Sequence, residues 1–355
     1  MFTLRSSLRA ARVLALVLSP LLLIAALPAA ASAAPGGAIS GELYFTTFQN
    51  QGTCSGANCT PNVFKVGYQY NGTNTFTLGT PQIITTTKGA DGIVFTSSGR
   101  HLLIGGQSSG QVFEVDPSTG VTISVNSGLS ADYHLTLSPS GTTVYTAGLP
   151  GNAATVPVSP LANGTEHQIT GQDTSITQIA FVPGETGYAY YTSSNENGNG
   201  SFGVLNLGTY QTTRLISNLP AAHGMVYDPY TGDLILSGAD EVAQISPSRT
   251  HPVVVSTLTV PNLSGGSQGH FDQATIDGAG HLFVASNGGQ LLFVDYSASG
   301  LVGNPHNFSS LQFLHSNLDD IVNQLPEVPY AAALPLAALP ALIWLRRRRR
   351  RPACA

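Results

Sequence analysis

Asp91, His134, His223 and Asp272 stand at matching points in four copies of one repeated sequence pattern. Carboxylates and imidazoles are the common protein ligands of divalent cations. A repeat that turns equivalent positions toward one axis lets such side chains share an ion. The copies read DGIVFTSSGRHLLIGG from Asp91, HLTLSPSGTTVYTAG from His134, QIAFVPGETGYAYYTS from Gln178, HGMVYDPYTGDLILSG from His223 and DQATIDGAGHLFVASN from Asp272. A truncated copy, LDDIVNQL, begins at Leu318. Aligned on Phe95, Leu137, Phe181, Tyr227 and Ile276, they open with the pairs Asp91-Gly92, Tyr133-His134, Thr177-Gln178, His223-Gly224 and Asp272-Gln273. The truncated copy offers Asp319 and Asp320. Strand alternation sends one member of each pair inward and the other aside, and the pattern leaves open which. The expected centre is one divalent ion, Ca or Mg favoured, on Asp91, His134, His223 and Asp272. Gln178, Gln273, Asp319 and Asp320 are expected to line the same channel. The plainer expectation is a polar channel lining in which each Asp satisfies backbone N–H groups.

The remaining histidines carry less. His270 is read as a surface residue in a Gly/Ser-rich loop, and His101 and His281 as solvated residues after turns. His167, His251, His306 and His315 have no convergent partner in the pattern. The chain has no G-x-S-x-G elbow, no H-E-x-x-H pair and no phosphate-cradling glycine loop.

The elements that must position these side chains are strands. The pattern recurs about every 45 residues, the period of a β-propeller. In each copy a short apolar strand ends in a turn such as Pro139-Ser140-Gly141 or Asp228-Pro229-Tyr230-Thr231-Gly232, where Pro presets φ and Gly supplies positive φ. Three further strands follow, and four strands make one blade. Residues 41–88 hold strands such as GELYFTTF and NVFKVGYQY with no inner strand before them, whereas LDDIVNQL is an inner strand with nothing after it. Joined, they complete a blade and hide the sheet edges. The expected fold is all-β, a six-bladed propeller closed by a C-terminal inner strand, with seven blades as the alternative.

The chain ends speak of location. Residues 1–33 carry Arg5, Arg9 and Arg12, an apolar run and Ala31-Ser32-Ala33, which reads as a secretory signal peptide. The propeller is expected over residues 34–325. Residues 326–355 form a hydrophobic tail, Val328–Leu345, running into the arginines Arg346 to Arg351. A basic cluster stays cytoplasmic, so the propeller is expected outside, anchored at the membrane through this tail. Between Glu42 and Glu327 five basic residues face 19 acidic ones, a net charge of −14. That balance argues against nucleic acid. It fits an exported, monomeric domain with a small molecule, glycan or envelope protein as partner. Cys54 and Cys59 lie in one loop, and in an exported domain a local disulfide is expected.

Two resemblances add to this. SPSGTTVYTAG and DPYTGDLILSG resemble the repeat of the lactonase-like propellers, the YVTN and NHL proteins and the gluconolactonase-type hydrolases and virginiamycin-type lyases. The likeness spans residues 41–323. It implies a propeller fold and, for the hydrolases, a central divalent metal held by Glu, Asn and Asp. Here the corresponding positions hold Asp, His, Gln, His, Asp and Asp. The tail is similar to PEP-CTERM-type sorting signals, with Pro326-Glu327-Val328-Pro329 at the motif position; this implies cleavage and transfer, or a plain anchor. Two functions follow as expectations. The first is a surface-displayed propeller that binds a ligand or protein. The alternative is a metal-dependent lactonase-like hydrolase or lyase at the channel mouth. They part on geometry: an enzyme needs at least three of the four proposed ligands converging on one point.

Overall fold

A computed structural model describes residues 37–47, 62–107, 109–130, 133–148, 151–158, 161–194, 200–261, 263 and 270–324. These residues form six sheets, antiparallel except where the two-residue strand Thr170–Gly171 pairs in parallel with Gln211–Leu219. Blade 1 is built from Ile39–Thr47, Asn62–Tyr70 and two short outer strands, with Leu318–Asn323 as its inner strand. Blade 2 runs outward from Ala90–Phe95, blade 3 from His134–Leu137 and blade 4 from Gln178–Ala180. Blade 5 runs outward from Gly224–Tyr227 and blade 6 from Phe271–Ile276. Six blades is thus the count among the described residues, and the seven-bladed alternative is set aside. Cys54, Cys59, the N-terminal signal and the C-terminal tail lie outside the described residues. Among the described residues no helix is long and apolar enough to cross a membrane.

The sequence pattern explains why these segments are strands at these depths. Second strands are stacked between neighbouring blades on both faces, so they read as continuous apolar runs. Leu102, Leu103 and Ile104 of blade 2 are all fully buried, as are Leu234, Ile235 and Leu236 of blade 5. Outermost strands face water, and Val253–Thr259 is largely exposed.

The core is six apolar clusters, each filling the gap between two adjacent blades. The gap between blades 6 and 1 is the most aromatic: Phe76 stacks on Phe293 at 4.3 Å, and Phe45 on Phe64 at 5.0 Å. That cluster also contains Leu318 and Ile321 of the C-terminal strand. Leu318–Asn323 pairs antiparallel with Ile39–Thr47, matching Leu43 with Asn323, Tyr44 with Val322 and Phe45 with Ile321. The two ends of the described chain therefore meet in one sheet.

Three inner strands share an irregularity at the same level. Pairing skips from Ala90 to Ile93 in blade 2, from Phe271 to Ala274 in blade 6, and between Leu318 and Ile321 in blade 1. The skipped residues are Asp91-Gly92, Asp272-Gln273 and Asp319-Asp320. A bulge re-aims side chains that a regular pleat would send to alternate faces.

Candidate metal centre

The bulged pairs and their neighbours meet at one mouth of the channel. Asp272 Oδ1 lies 3.1 Å from His223 Nε2 and 3.3 Å from His134 Nε2. Asp320 Oδ1 is 3.9 Å from His134 Nε2. Two sets of possible ligand atoms result, His134, His223 and Asp272, and Asp91, His134 and Asp320, each with all its atoms within 4.8 Å of one another. All four residues expected as ligands are in these sets, and Asp320, expected only as channel lining, joins them.

The backbone explains how the sites are held. Gly92 lies flat against blade 3, its N–H donating to Tyr133 O at 3.1 Å, and a Cβ there would sit 2.1 Å from the same oxygen. This packing sets Asp91 beside His134. Gly224 does the same against blade 6, where a Cβ would fall 2.2 Å from Asp272 O. It sets His223 beside Asp272. So in both X-Gly pairs the glycine takes the inter-blade side. The carbonyl of His223 is pinned by the hydroxyls of Thr177 and Thr192, at 2.9 and 2.6 Å, and Ser237 Oγ donates to Asp272 O at 2.5 Å.

The tautomer of His134 follows from a chain of hydrogen bonds. Thr136 Oγ1 donates to Ile179 O at 2.5 Å, which leaves its lone pair to accept from Gln178 Nε2 at 2.6 Å. Gln178 therefore turns Oε1 toward His134 Nδ1, at 2.8 Å. Nδ1 carries the proton and donates it. The lone pair of a neutral His134 is then on Nε2, aimed at the carboxylates. Facing Asp272 at 3.3 Å, that nitrogen is stable only when protonated or when a cation lies between. A metal-bound imidazole held through its other nitrogen is the usual outer-shell arrangement.

The cluster is out of water. Side-chain exposure is 0% for Asp320, 4% for Asp272, 6% for His134 and 11% for His223. Among the described residues, both oxygens of Asp320, Asp319 Oδ2, Asp272 Oδ1 and His223 Nδ1 have no hydrogen-bond partner. Asp272 Oδ1 is near both imidazoles in distance without the alignment of a hydrogen bond. Buried carboxylate oxygens left so are costly unless protonated or bound to a cation. The electrostatics agree. Burial lowers the tendency of His134 to hold a proton, but the carboxylates of Asp320, Asp272 and Asp91 outweigh it and lift its pKa to about 10. Burial also penalises the Asp272 carboxylate, yet His223 and His134 hold it well below the usual carboxylate range. Burial pushes Asp320 well above that range against the pull of His134, with Asp272 and Asp91 adding to the rise. Asp319 rises likewise, by burial and then by the charges of Asp91, Asp272 and Asp320.

Gln178 and Gln273 are buried, and both line a cavity among the inner strands. Asp319 is buried beside the ligand sets without belonging to either. Two expectations need correction. His270 is not a surface residue: it is 8% exposed, its Nε2 lies 3.0 Å from Asn287 Nδ2, and its ring meets that of His223 edge-on at 6.1 Å. Its place just ahead of the blade 6 inner strand brings it to the mouth, which the Gly/Ser composition of the loop before it disguised. His281 is not solvated but fully buried, with Nδ1 2.6 Å from Asp277 Oδ2, because the second strand it opens is buried on both faces. His101 is half-buried and pairs with Glu114 at 2.8 Å.

No protein-family signature and no curated protein sequence matches the chain. Among solved structures it is similar to a chain of a nidogen/laminin complex, at 12% identity and a TM-score of 0.55, over 81% of this chain and 99% of that one. It also overlays a luciferin-regenerating enzyme at 12% identity and a TM-score of 0.47, over 65% and 78% of the two chains. A calcium-binding protein, regucalcin, from Agrobacterium tumefaciens overlays at 14% identity and a TM-score of 0.45, over 66% and 77%. At such identities the likeness is one of fold, and the fold is the six-bladed β-propeller that the sheets and the gaps between them define.

Proposed function

We propose that the channel mouth is a divalent-cation centre and that the protein is a metal-dependent, lactonase-like hydrolase or lyase. The observation that carries this is the convergence of His134, His223 and Asp272 from three blades, with the carboxylate of Asp320, which has no hydrogen-bond partner among the described residues, beside them. His134 Nε2, His223 Nε2 and Asp272 would hold the ion, with Asp91 and Asp320 completing its shell. Two imidazoles among the ligands suit Mn, Fe or Zn better than Ca or Mg, which prefer oxygen throughout. A cation so placed polarises a carbonyl oxygen and acidifies a bound water. The protein's own residues supply the rest. Gln178 orients His134, and Asp319 is a carboxylic acid placed to exchange a proton at the rim of the ligand set.

The wider reading keeps the exported form: a signal over residues 1–33, a Cys54–Cys59 disulfide, and a membrane anchor or sorting tail over residues 326–355 that displays a monomeric propeller outside the cell.

One observation favours a second reading. The ligand cluster is closely buried, and His223 is the most exposed of the residues at its centre. A cation so enclosed fits a structural role in a propeller that binds a glycan or an envelope protein without turnover.

Elemental analysis of the purified protein tests the centre, alongside the variant His223→Ala/Asp272→Ala. One equivalent of Mn, Fe, Zn, Ca or Mg in the parent, lost in the variant, is the expected result; lactone and lyase substrates then separate the two readings. No bound ion after dialysis against each metal would remove the centre.

A further inference from the structure

We infer that the cation is also the clasp of the ring, its binding coupled to docking of the C-terminal inner strand Leu318–Asn323. This rests on the cation centre proposed above and concerns what that centre does to the fold.

The strand is set apart from the other five inner strands. Each of those is joined to the next strand of its own blade by a short connection, so it cannot leave without breaking a hairpin. Leu318–Asn323 has no such tether. Its partner, Ile39–Thr47, lies at the other end of the described chain. The pairing between them is interrupted by the bulge at Asp319-Asp320.

This least-tethered strand also carries the worst electrostatic load. Asp319 and Asp320 are adjacent, 4% and 0% exposed, and among the described residues three of their four carboxylate oxygens have no hydrogen-bond partner. They dock next to Asp272 of blade 6 and Asp91 of blade 2. Without a cation, docking brings like charges together out of water, and leucine, isoleucine and valine packing must offset it. With a cation on His134, His223 and Asp272, completed by Asp91 and Asp320, the same carboxylates become ligands. An ion that binds the docked state better than the undocked one must favour docking by the same factor.

Amide hydrogen exchange on the full chain, read by mass spectrometry, tests this. The protein is stripped with chelator and then loaded with Mn(II) or Zn(II) at about 100 times the dissociation constant. Exchange in 318–323 is expected to slow by up to about 100-fold. That gain should exceed the one at Gly224–Tyr227, a hairpin-tethered inner strand, while the outer strand Val253–Thr259 stays unchanged. Asp320→Asn keeps the side-chain shape and removes the charge. Metal-free, this variant should exchange more slowly at 318–323 than the metal-free parent, and metal should add at least 10-fold less protection. Elemental analysis of the same samples keeps the two proposals distinct. Bound metal with unchanged exchange at 318–323, or with a gain no larger than at 224–227, overturns the clasp and leaves the centre standing. No bound metal overturns the centre, and the clasp with it.

Discussion

At the scale of single residues, the centre depends on side chains that touch no ligand. Gln178 is the clearest case. Its amide nitrogen is engaged by Thr136 Oγ1, so its oxygen faces His134 Nδ1 and the imidazole lone pair faces the carboxylates. Gln178→Ala should leave the propeller folded by circular dichroism and weaken metal affinity about 10- to 100-fold, measured by competition with a chelator. Unchanged affinity would mean that His134 is oriented by packing alone. The types of the candidate ligands were legible in the sequence, because Asp and His recur at one point of a repeat. The role of Gln178 was not, since both its partners, His134 and Thr136, lie on the inner strand of the neighbouring blade, about 40 residues earlier in the chain. Asp320 was legible as polar lining but not as a ligand. Only its complete burial, and oxygens with no hydrogen-bond partner among the described residues, mark it as a candidate for the second role.

At the scale of elements, the inner strands carry the site through irregularities. Three of them bulge at an Asp-X pair, and in two, those of blades 2 and 5, a glycine packs closely against the next blade. Gly92 is the sharpest constraint, because its missing Cβ is the space that Tyr133 O and His134 Cα occupy. Gly92→Ala must push blades 2 and 3 apart. It should cost about 1–3 kcal/mol by urea denaturation. It should also reduce metal affinity, since Asp91 and His134 move apart together. A Gly92→Ala protein with the parent's urea midpoint would mean that the inter-blade seam has slack. Strand and turn positions were readable from apolar runs and Pro/Gly turns, both local signals. The bulges were not. They exist because the neighbouring strand pairs on either side of the skipped residues, and that register is not written in the composition of either strand.

At the scale of the whole molecule, the ring closes on itself without a continuous chain at the seam. The gap between blades 6 and 1 is filled by stacked aromatics and by Leu318 and Ile321 of the returning strand. A chain ending before Leu318 should expose the edge of Ile39–Thr47 and self-associate, seen by light scattering at concentrations where the parent is monomeric. A monodisperse truncated protein would show that the seam holds without the strand. The sequence by itself determined the six repeats, the sharing of one blade between the two ends and the level at which Asp and His gather. Each of these follows from periodicity, and periodicity survives in one dimension. Only the tertiary structure decided which member of each pair faces the channel, that His270 is buried at the mouth, and that His134 reaches Asp272 across the axis. Those facts depend on how neighbouring blades pack and on distances across a ring, which spacing along a chain does not encode.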